Sequence, residues 1–465
     1  MSDHKSQIPA HIFREYDIRG IAESELDDRT VREIGQAYGT YLSGLGIFSV
    51  TVGGDARLST PRVKAGIIGG LTRAGISVTD IGMAATPTFY WSLHHFCVDG
   101  GVMVTGSHNP PEFNGLKLVR GKATMWGDDI REIYRIITGG RTETADVPGS
   151  VKTEDITEQY IDMLISKIKL GTRKLKVVLD SGNGTGGLFA PKFIRAIGCE
   201  VAELFSEPDG NFPNHHPDPT KREYLPALMA SVLENGADVG IGFDGDSDRI
   251  GVVDDRGNMI FGDQLMLLFW QEILPRHPGA TAIVEIKSSM TLFDEIKKLG
   301  GNPIWWKSGH SLIKAKMREE CALFSGEVSG HMFFADEYYG FDDAFYAAGR
   351  LLRILSNTDR KLSDIISAIP SYPSTAETRF DCPDDMKADV VRKVRESAEH
   401  DMETIIVDGV RVIYKDGWGL LRSSNTQPTL VARCEGRTEK DLGLICADMK
   451  RRIHDAGGPD FEWEY

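Results

Sequence analysis

Three carboxylates fall at alternate positions in Asp244-Gly245-Asp246-Ser247-Asp248-Arg249, between two apolar runs at 239–243 and 250–253. A tight loop can turn such side chains onto one hard cation, and an all-oxygen set favours Mg²⁺ or Ca²⁺. An EF-hand would need glycine at the sixth loop position and glutamate at the twelfth. Arg249 and Asp255 stand there instead, and the flanks read as strands rather than helices. Crowded carboxylates repel one another unless something neutralises them. A bound cation therefore explains the loop better than a solvated acidic hairpin does.

Ser107 lies in Thr105-Gly106-Ser107-His108-Asn109-Pro110, just after the apolar run 101–104, with Lys117 nearby. Gly106 lets the backbone turn and Pro110-Pro111 bars a helix. The serine is thus offered at a strand end, where α/β proteins place active sites; by itself the segment also reads as an ordinary polar turn. Glu327, Ser329 and His331 alternate between glycines in Gly326-Glu327-Val328-Ser329-Gly330-His331, and supply acceptors and donors of the kind that meet sugar hydroxyls. Arg422, Ser423, Ser424, Asn425, Thr426 and Thr429 crowd one turn. One cation, several hydroxyls and backbone N–H groups make a phosphate cradle; taken alone, this segment and the Glu327 segment each read equally well as an ordinary polar turn.

Two patterns compete. Gly182, Gly184 and Gly187 follow the strand-like run 176–181, with Glu203 about twenty residues on, which fits the dinucleotide fingerprint. So glycine-rich a stretch matches many patterns, and hydride transfer would leave the serine, aspartate and Arg422 loops without a role. The pairs His94-His95 and His215-His216 suggest metal, but adjacent residues on a strand point apart, so both are expected to be structural.

These loops must be held by the elements around them. Short apolar runs (50–52, 101–104, 175–179, 239–243, 282–286) alternate with stretches of helical period such as 30–42 and 61–74. That alternation predicts an α/β fold with parallel or mixed sheets. Polar or Pro/Gly segments at 139–150, 254–257 and 369–374 divide the 465 residues into four pieces: 1–150, 151–256, 257–369 and 370–465. Hydrophobic residues make up 41% of the chain and charged ones 26%, enough apolar material for several cores without disulfide support. A net charge of −15 argues against a nucleic-acid partner. It also requires any phosphate site to be built from local cations or N–H groups. The start has no basic segment leading into an apolar one, and no run approaches the length of a membrane helix. With six scattered cysteines, the expectation is a cytoplasmic protein with reduced thiols and no membrane partner.

Taken together, the motifs resemble those of the α-D-phosphohexomutase superfamily from Phe13-Arg14-Glu15-Tyr16-Asp17-Ile18-Arg19-Gly20 to the Arg422 loop. The TGSHNP, DGDxDR, GExSGH and RxSNT loops occur in the family's order. The resemblance implies four domains: three related α/β units with mixed sheets, a smaller distinct α+β domain at the C-terminus, and an active site in the central cleft. It implies Ser107 as the phosphorylated residue, and Ser107, Asp244, Asp246 and Asp248 as the Mg²⁺ set. Arg19, Lys117, Arg249 and His331 are implied at the reaction centre, with Lys117 and His331 both open as general base. For the substrate it implies Tyr16, Lys287, His310, Glu327 and Ser329, and for the non-reacting phosphate Arg422, Ser424, Asn425, Thr426 and Thr429. The loops are most similar to those of phosphomannomutase/phosphoglucomutases, which implies sugar phosphates as substrates, a hexose 1,6-bisphosphate intermediate and activator, and a monomer, with a dimer as the alternative. Phosphoglucosamine mutase is the alternative inside the superfamily. A Mg²⁺-dependent sugar phosphatase and an NAD(P)-dependent oxidoreductase are the alternatives outside it.

Overall fold

A computed structural model describes residues 8–424 and 428–464. The chain forms two compact units, one of Met1–Phe269 with Ser329–Ile366, the other of Trp270–Val328 with Ser367–Tyr465. Among the described residues no helix is long and apolar enough to cross a membrane.

The first unit holds two mixed sheets. One runs in the order Ile18–Ile21, Phe113–Arg120, Gly100–Val104, Ser49–Gly54, Ser77–Met83, Val151–Thr153. Its middle strands are parallel, and Phe113–Arg120 returns antiparallel beside Gly100–Val104. The connection between those two strands is the Ser107 loop. Helix Asp28–Ser43 buries Val31, Ile34, Tyr38 and Leu42 at helical spacing, and Asp27 caps it by accepting from the Thr30 N–H at 2.7 Å. It crosses Thr60–Arg73 closely, because a Cβ on Gly70 would lie 2.3 Å from the Arg32 carbonyl.

The second sheet is ordered Met259–Ile260, Ile250–Asp254, Val239–Phe243, Lys176–Asp180, Glu200–Leu204. Val239–Phe243 and Ile250–Asp254 pair antiparallel, and every residue in both is buried. The aspartate loop is the turn of this hairpin. Helix Ala344–Ser356 also belongs to this unit, and Asp343 caps it at the Tyr346 N–H (2.8 Å) while accepting the Tyr160 and Tyr338 hydroxyls at 2.6 Å each.

Burial pushes the Asp343 carboxyl up to about 6, against those hydrogen bonds. Its stabilising contribution is therefore complete below the ordinary carboxylate range and is lost as pH rises through 6. Asparagine can still cap the helix and carries no charge to desolvate. Asp343→Asn is expected to gain on the order of 1–3 kcal/mol relative to the parent between pH 5 and pH 7.5. Paired melting curves at the two values check this.

In the second unit, Thr281–Glu285 pairs parallel with Asn302–Trp306 and with Phe324–Gly326. The C-terminal piece is an antiparallel sheet, Thr378–Asp381, Thr429–Gly436, Gly417–Ser423, Val410–Tyr414, Glu403–Ile405, and helices Asp384–Glu399 and Glu439–Asp455 supply Val390, Val394, Ile445 and Met449 to its core.

Three sequence expectations need correction. Val151–Thr153, assigned to the second piece, is the edge strand of the first sheet, and Met259–Ile260, assigned to the third, closes the second sheet. Polar composition marks the loop before such a strand but not which sheet takes its hydrogen bonds. His94 and His95 end helix Thr86–His95 and are not on a strand, and His215-His216 lies in a loop between strands. His215 Nε2 faces the buried Asp180 carboxylate at 3.0 Å, a half-buried structural pairing.

Candidate active site

Within the first unit, two loops far apart in sequence meet. Ser107 is 2% exposed and adopts φ +49°, a left-handed conformation unusual for a residue with a Cβ. Its Oγ lies 3.0 Å from Asp244 Oδ2 and 3.1 Å from His108 Nδ1. Asp244, Asp246 and Asp248 are each fully buried and bring one oxygen apiece within 4.8 Å of one another. Among the described residues, Asp246 Oδ1 and Asp248 Oδ1 have no hydrogen-bond partner. Burial, then Asp246 and Asp248, raises the Asp244 carboxyl well above its usual range. Three clustered carboxylates with unspent buried oxygens fit a hard divalent cation, and this set could hold one.

Lys117 comes from strand Phe113–Arg120. Its Nζ reaches Asp246 Oδ2 at 2.9 Å and also pairs with Asp248. Burial opposes its charge, but Asp246 and Asp248 outweigh burial and raise the ammonium well above its ordinary pKa. Arg249 donates from Nε to His331 Nε2 at 3.1 Å, and His331 Nδ1 lies 3.1 Å from Asp342 and 3.6 Å from Asp248. Arg19 joins the serine loop through Asn109 Oδ1 (2.9 Å) and is held by Asp17 (2.6 Å). His108 is pushed well below the usual imidazole pKa by burial, then by Arg249 and Arg19. Tyr16 and Ser329 are half-buried in turns of the same unit.

Two of the glycines that imitate a dinucleotide motif allow close backbone approaches, Gly184 to the aspartate loop and Gly187 to the segment after strand Glu200–Leu204. A Cβ on Gly184 would lie 2.7 Å from the Gly245 carbonyl, and one on Gly187 1.7 Å from that of Ser206. Thr185 N–H donates to Gly245 at 3.0 Å. Thr86, at the start of its helix, was not foreseen: its hydroxyl donates to Asp246 Oδ2 at 2.6 Å.

Within the second unit, the remaining residues form a chain of contacts. Lys287 Nζ lies 3.2 Å from Glu285 and 2.9 Å from Glu377. Burial is outweighed by these two carboxylates, and the ammonium pKa rises above its ordinary range. Glu285 accepts the Val328 N–H at 2.7 Å, and Glu327 accepts that of Gly309 at 2.8 Å, at the start of the helix opened by His310. Asp408 accepts from Ser308 N–H (3.3 Å) and Arg422 Nε (2.9 Å). Ser424 accepts from Lys387 through its carbonyl, and its N–H donates to the Thr429 carbonyl at 2.9 Å. Asn425 and Thr426 lie outside the described residues.

Glu285, Glu377, Lys387 and Asp408 had no sequence signal, nor did two arginines that hold the Lys287 turn. Arg411 is buried with its guanidinium 3.6 Å from the Trp418 ring and 4.0 Å from that of Trp305. It donates to the carbonyls of Ile286 and Ser288, and Arg433 takes that of Lys287 between them. The register explains the pairing, because Arg411, Leu420 and Arg433 stand opposite one another on three adjacent strands.

Comparison with known proteins agrees along the whole chain. Residues 10–144, 158–257 and 261–372 match the models of phosphoglucomutase/phosphomannomutase alpha/beta/alpha domains I, II and III, and residues 377–452 match the C-terminal domain. A phosphomannomutase/phosphoglucomutase of Pseudomonas putida is 43% identical, with 94% of each chain covered. A phosphoglucomutase of Neisseria gonorrhoeae is 43% identical over 98% of this chain and 99% of its own. The crystal structure of a phosphoglucomutase/phosphomannomutase family protein from Burkholderia thailandensis is 40% identical with a TM-score of 0.91, covering 98% of this chain and all of that one. With four domain models in order and relatives of this identity over nearly the full length, the chain belongs to the phosphoglucomutase/phosphomannomutase family of phosphohexomutases, which are isomerases.

Proposed function

We propose that the protein interconverts hexose 1-phosphate and hexose 6-phosphate, with mannose and glucose as the sugars, by passing a phosphoryl group through Ser107. The observation that carries this is the 3.0 Å contact between Ser107 Oγ and Asp244 Oδ2 across 137 residues of sequence. It sets a hydroxyl beside a buried, cation-demanding cluster. The names of the Pseudomonas and Neisseria relatives support the sugars.

In the first transfer the P–Oγ bond of phospho-Ser107 breaks and a P–O bond forms to the free hydroxyl of the sugar phosphate, whose proton leaves to a base. The product is a hexose 1,6-bisphosphate. After it turns end for end, the other phosphoryl returns to Ser107 and a proton is given back to the sugar oxygen. Lys117 and His331 lie beside the aspartate loop as the candidates for that exchange; Asp246 and Asp248 hold Lys117 as an ammonium, so it can give a proton to the sugar oxygen and would have to shed its own before taking one. Mg²⁺ held by Asp244, Asp246 and Asp248 would offset negative charge on the phosphoryl oxygens. Phosphoryl transfer gains mostly from such charge compensation and from positioning.

Glu327 and Ser329 would grip sugar hydroxyls. Arg422, Ser424 and Thr429, together with Asn425 and Thr426, would hold the phosphate that is not reacting, and Lys287, His310 and Tyr16 would complete the substrate contacts. All six cysteines are free thiols, two of them exposed, which suits a reducing cytoplasm.

The test supplies mannose 1-phosphate, glucose 1-phosphate and glucosamine 1-phosphate separately, with Mg²⁺ and trace glucose 1,6-bisphosphate. The 6-phosphates of mannose and glucose are expected, without release of inorganic phosphate. Conversion of the glucosamine ester alone would move the protein to the amino-sugar branch, and phosphate release without isomerisation would make it a phosphatase.

A further inference from the structure

Arg57 stands outside every group assigned so far, in the turn that follows strand Ser49–Gly54, and it is 1% exposed. Its two Nη groups are spent on one segment. Nη2 donates to the carbonyls of Ser107 (2.7 Å) and Asn109, and Nη1 to those of Pro110 and Phe113 (3.0 Å). Nε forms an ion pair with Asp55 at 3.2 Å. Asp55 in turn accepts the N–H of Gly106 at 3.1 Å and that of Arg57 at 3.0 Å. A Cβ on Gly106 would lie 2.4 Å from Arg57 Nε, so glycine is the residue that leaves room for the guanidinium.

A buried cation with one carboxylate partner is a poor way to stabilise a turn, since an apolar side chain avoids the desolvation penalty. Here the cation does something an apolar side chain cannot. It gathers four carbonyls from the loop that carries Ser107, and Ser107 itself keeps a φ of +49°. A backbone in that region persists only when its surroundings over-determine it. A planar guanidinium with five donors in fixed directions can do this, and an ammonium cannot.

We propose that Arg57 is a positioning residue for phosphoryl transfer: by clamping the carbonyls of the 107–113 segment, it fixes where Ser107 Oγ points. This rests on Ser107 being the phosphoryl carrier. A loop released by part of an ångström loses rate rather than substrate affinity, because the contacts expected to grip the sugar phosphate come from other segments.

The test compares the full-length parent with Arg57→Lys and Gly106→Ala. Lysine keeps the charge beside Asp55 but not the fork, and alanine at 106 pushes the fork away from the loop. Each protein is exposed to glucose 1,6-bisphosphate and Mg²⁺, and esterification of Ser107 is followed by mass spectrometry beside kcat, KM and melting temperature. Both variants are expected to lose about 10- to 100-fold in kcat and in the rate of Ser107 esterification, with KM within about threefold and the fold retained. A folded variant of either kind with both rates within about twofold of the parent overturns the proposal. If one variant melts below the assay temperature, the other decides; if both do, Arg57 is a fold residue and the proposal is equally overturned. A parent that never becomes esterified sinks the carrier reading itself, a different result from an esterified parent with unchanged variants.

Discussion

Ser107→Ala is expected to lower hexose phosphate interconversion by at least about 10³-fold while leaving substrate binding within a few-fold of the parent. The argument is chemical before it is structural. Phosphate monoesters are among the most inert biological esters, and the proposed route needs a side-chain oxygen that accepts the phosphoryl group and gives it back. Alanine removes that oxygen and leaves the aspartate loop and the Arg422 contacts in place. The structural cost is small: two hydrogen bonds are lost, to Asp244 and His108, on the order of 1–2 kcal/mol, and alanine tolerates the left-handed φ no worse than serine. A folded variant that binds hexose phosphate but does not turn it over, and shows no phosphate adduct by mass spectrometry, is the expected outcome. Near-parental turnover would remove Ser107 from the route.

The loops were legible in sequence because each concentrates its chemistry within a few residues. Three aspartates at alternate positions between two apolar runs form the turn of a buried hairpin, and glycine next to Ser107 marks a backbone that turns sharply. What surrounds those loops was not legible, because it depends on pairings far apart in the chain. Thr86 meets Asp246 across 160 residues, and Lys117 meets Asp248 across 131. Nothing local distinguishes Glu377 from other glutamates, yet it lies 2.9 Å from Lys287. Its carboxyl, which burial would raise, is held below the usual range by Lys287, Arg379 and Arg422. The glycines at 182, 184 and 187 show the opposite failing. A pattern legible in sequence has a packing cause at two of its positions: Gly184 lies against the Gly245 backbone and Gly187 against that of Ser206. Strand membership at 151–153 and 259–260 was missed for a related reason: two or three residues carry too little periodicity to show which sheet will accept them.

Asp246→Asn should separate two properties that the parent combines. Asp246 Oδ2 already accepts from Thr86 and Lys117, and asparagine can keep an oxygen there with little change in shape. Its charge is lost, however, and with it one of the three carboxylates proposed to hold Mg²⁺. Turnover at saturating Mg²⁺ is expected to fall about 100-fold and the half-saturating Mg²⁺ concentration to rise at least about tenfold. The metal-free protein should change in its pH dependence: Asp246 is held below the usual carboxylate range, against its burial, by Lys117 and Thr86, so its loss costs stability above that range while softening the titration of its neighbour. In the parent, burial together with Asp246 and Asp248 raises the Asp244 carboxyl well above its usual range. A raised acid gives its full stabilisation below the ordinary carboxylate pKa and loses it as pH climbs through the raised one. Neutralising residue 246 relieves part of that repulsion. The metal-free variant should therefore keep its melting temperature better than the metal-free parent between pH 5 and pH 8. Added Mg²⁺ should raise the melting temperature of the parent, by mass action on the folded state, and do little for the variant. Melting curves with and without Mg²⁺ at both pH values read this without any assay of turnover. An equal Mg²⁺-induced rise in both proteins would take Asp246 out of the metal set, and a metal-free variant that loses as much melting temperature between pH 5 and pH 8 as the parent would mean that Asp246 is not what raises Asp244.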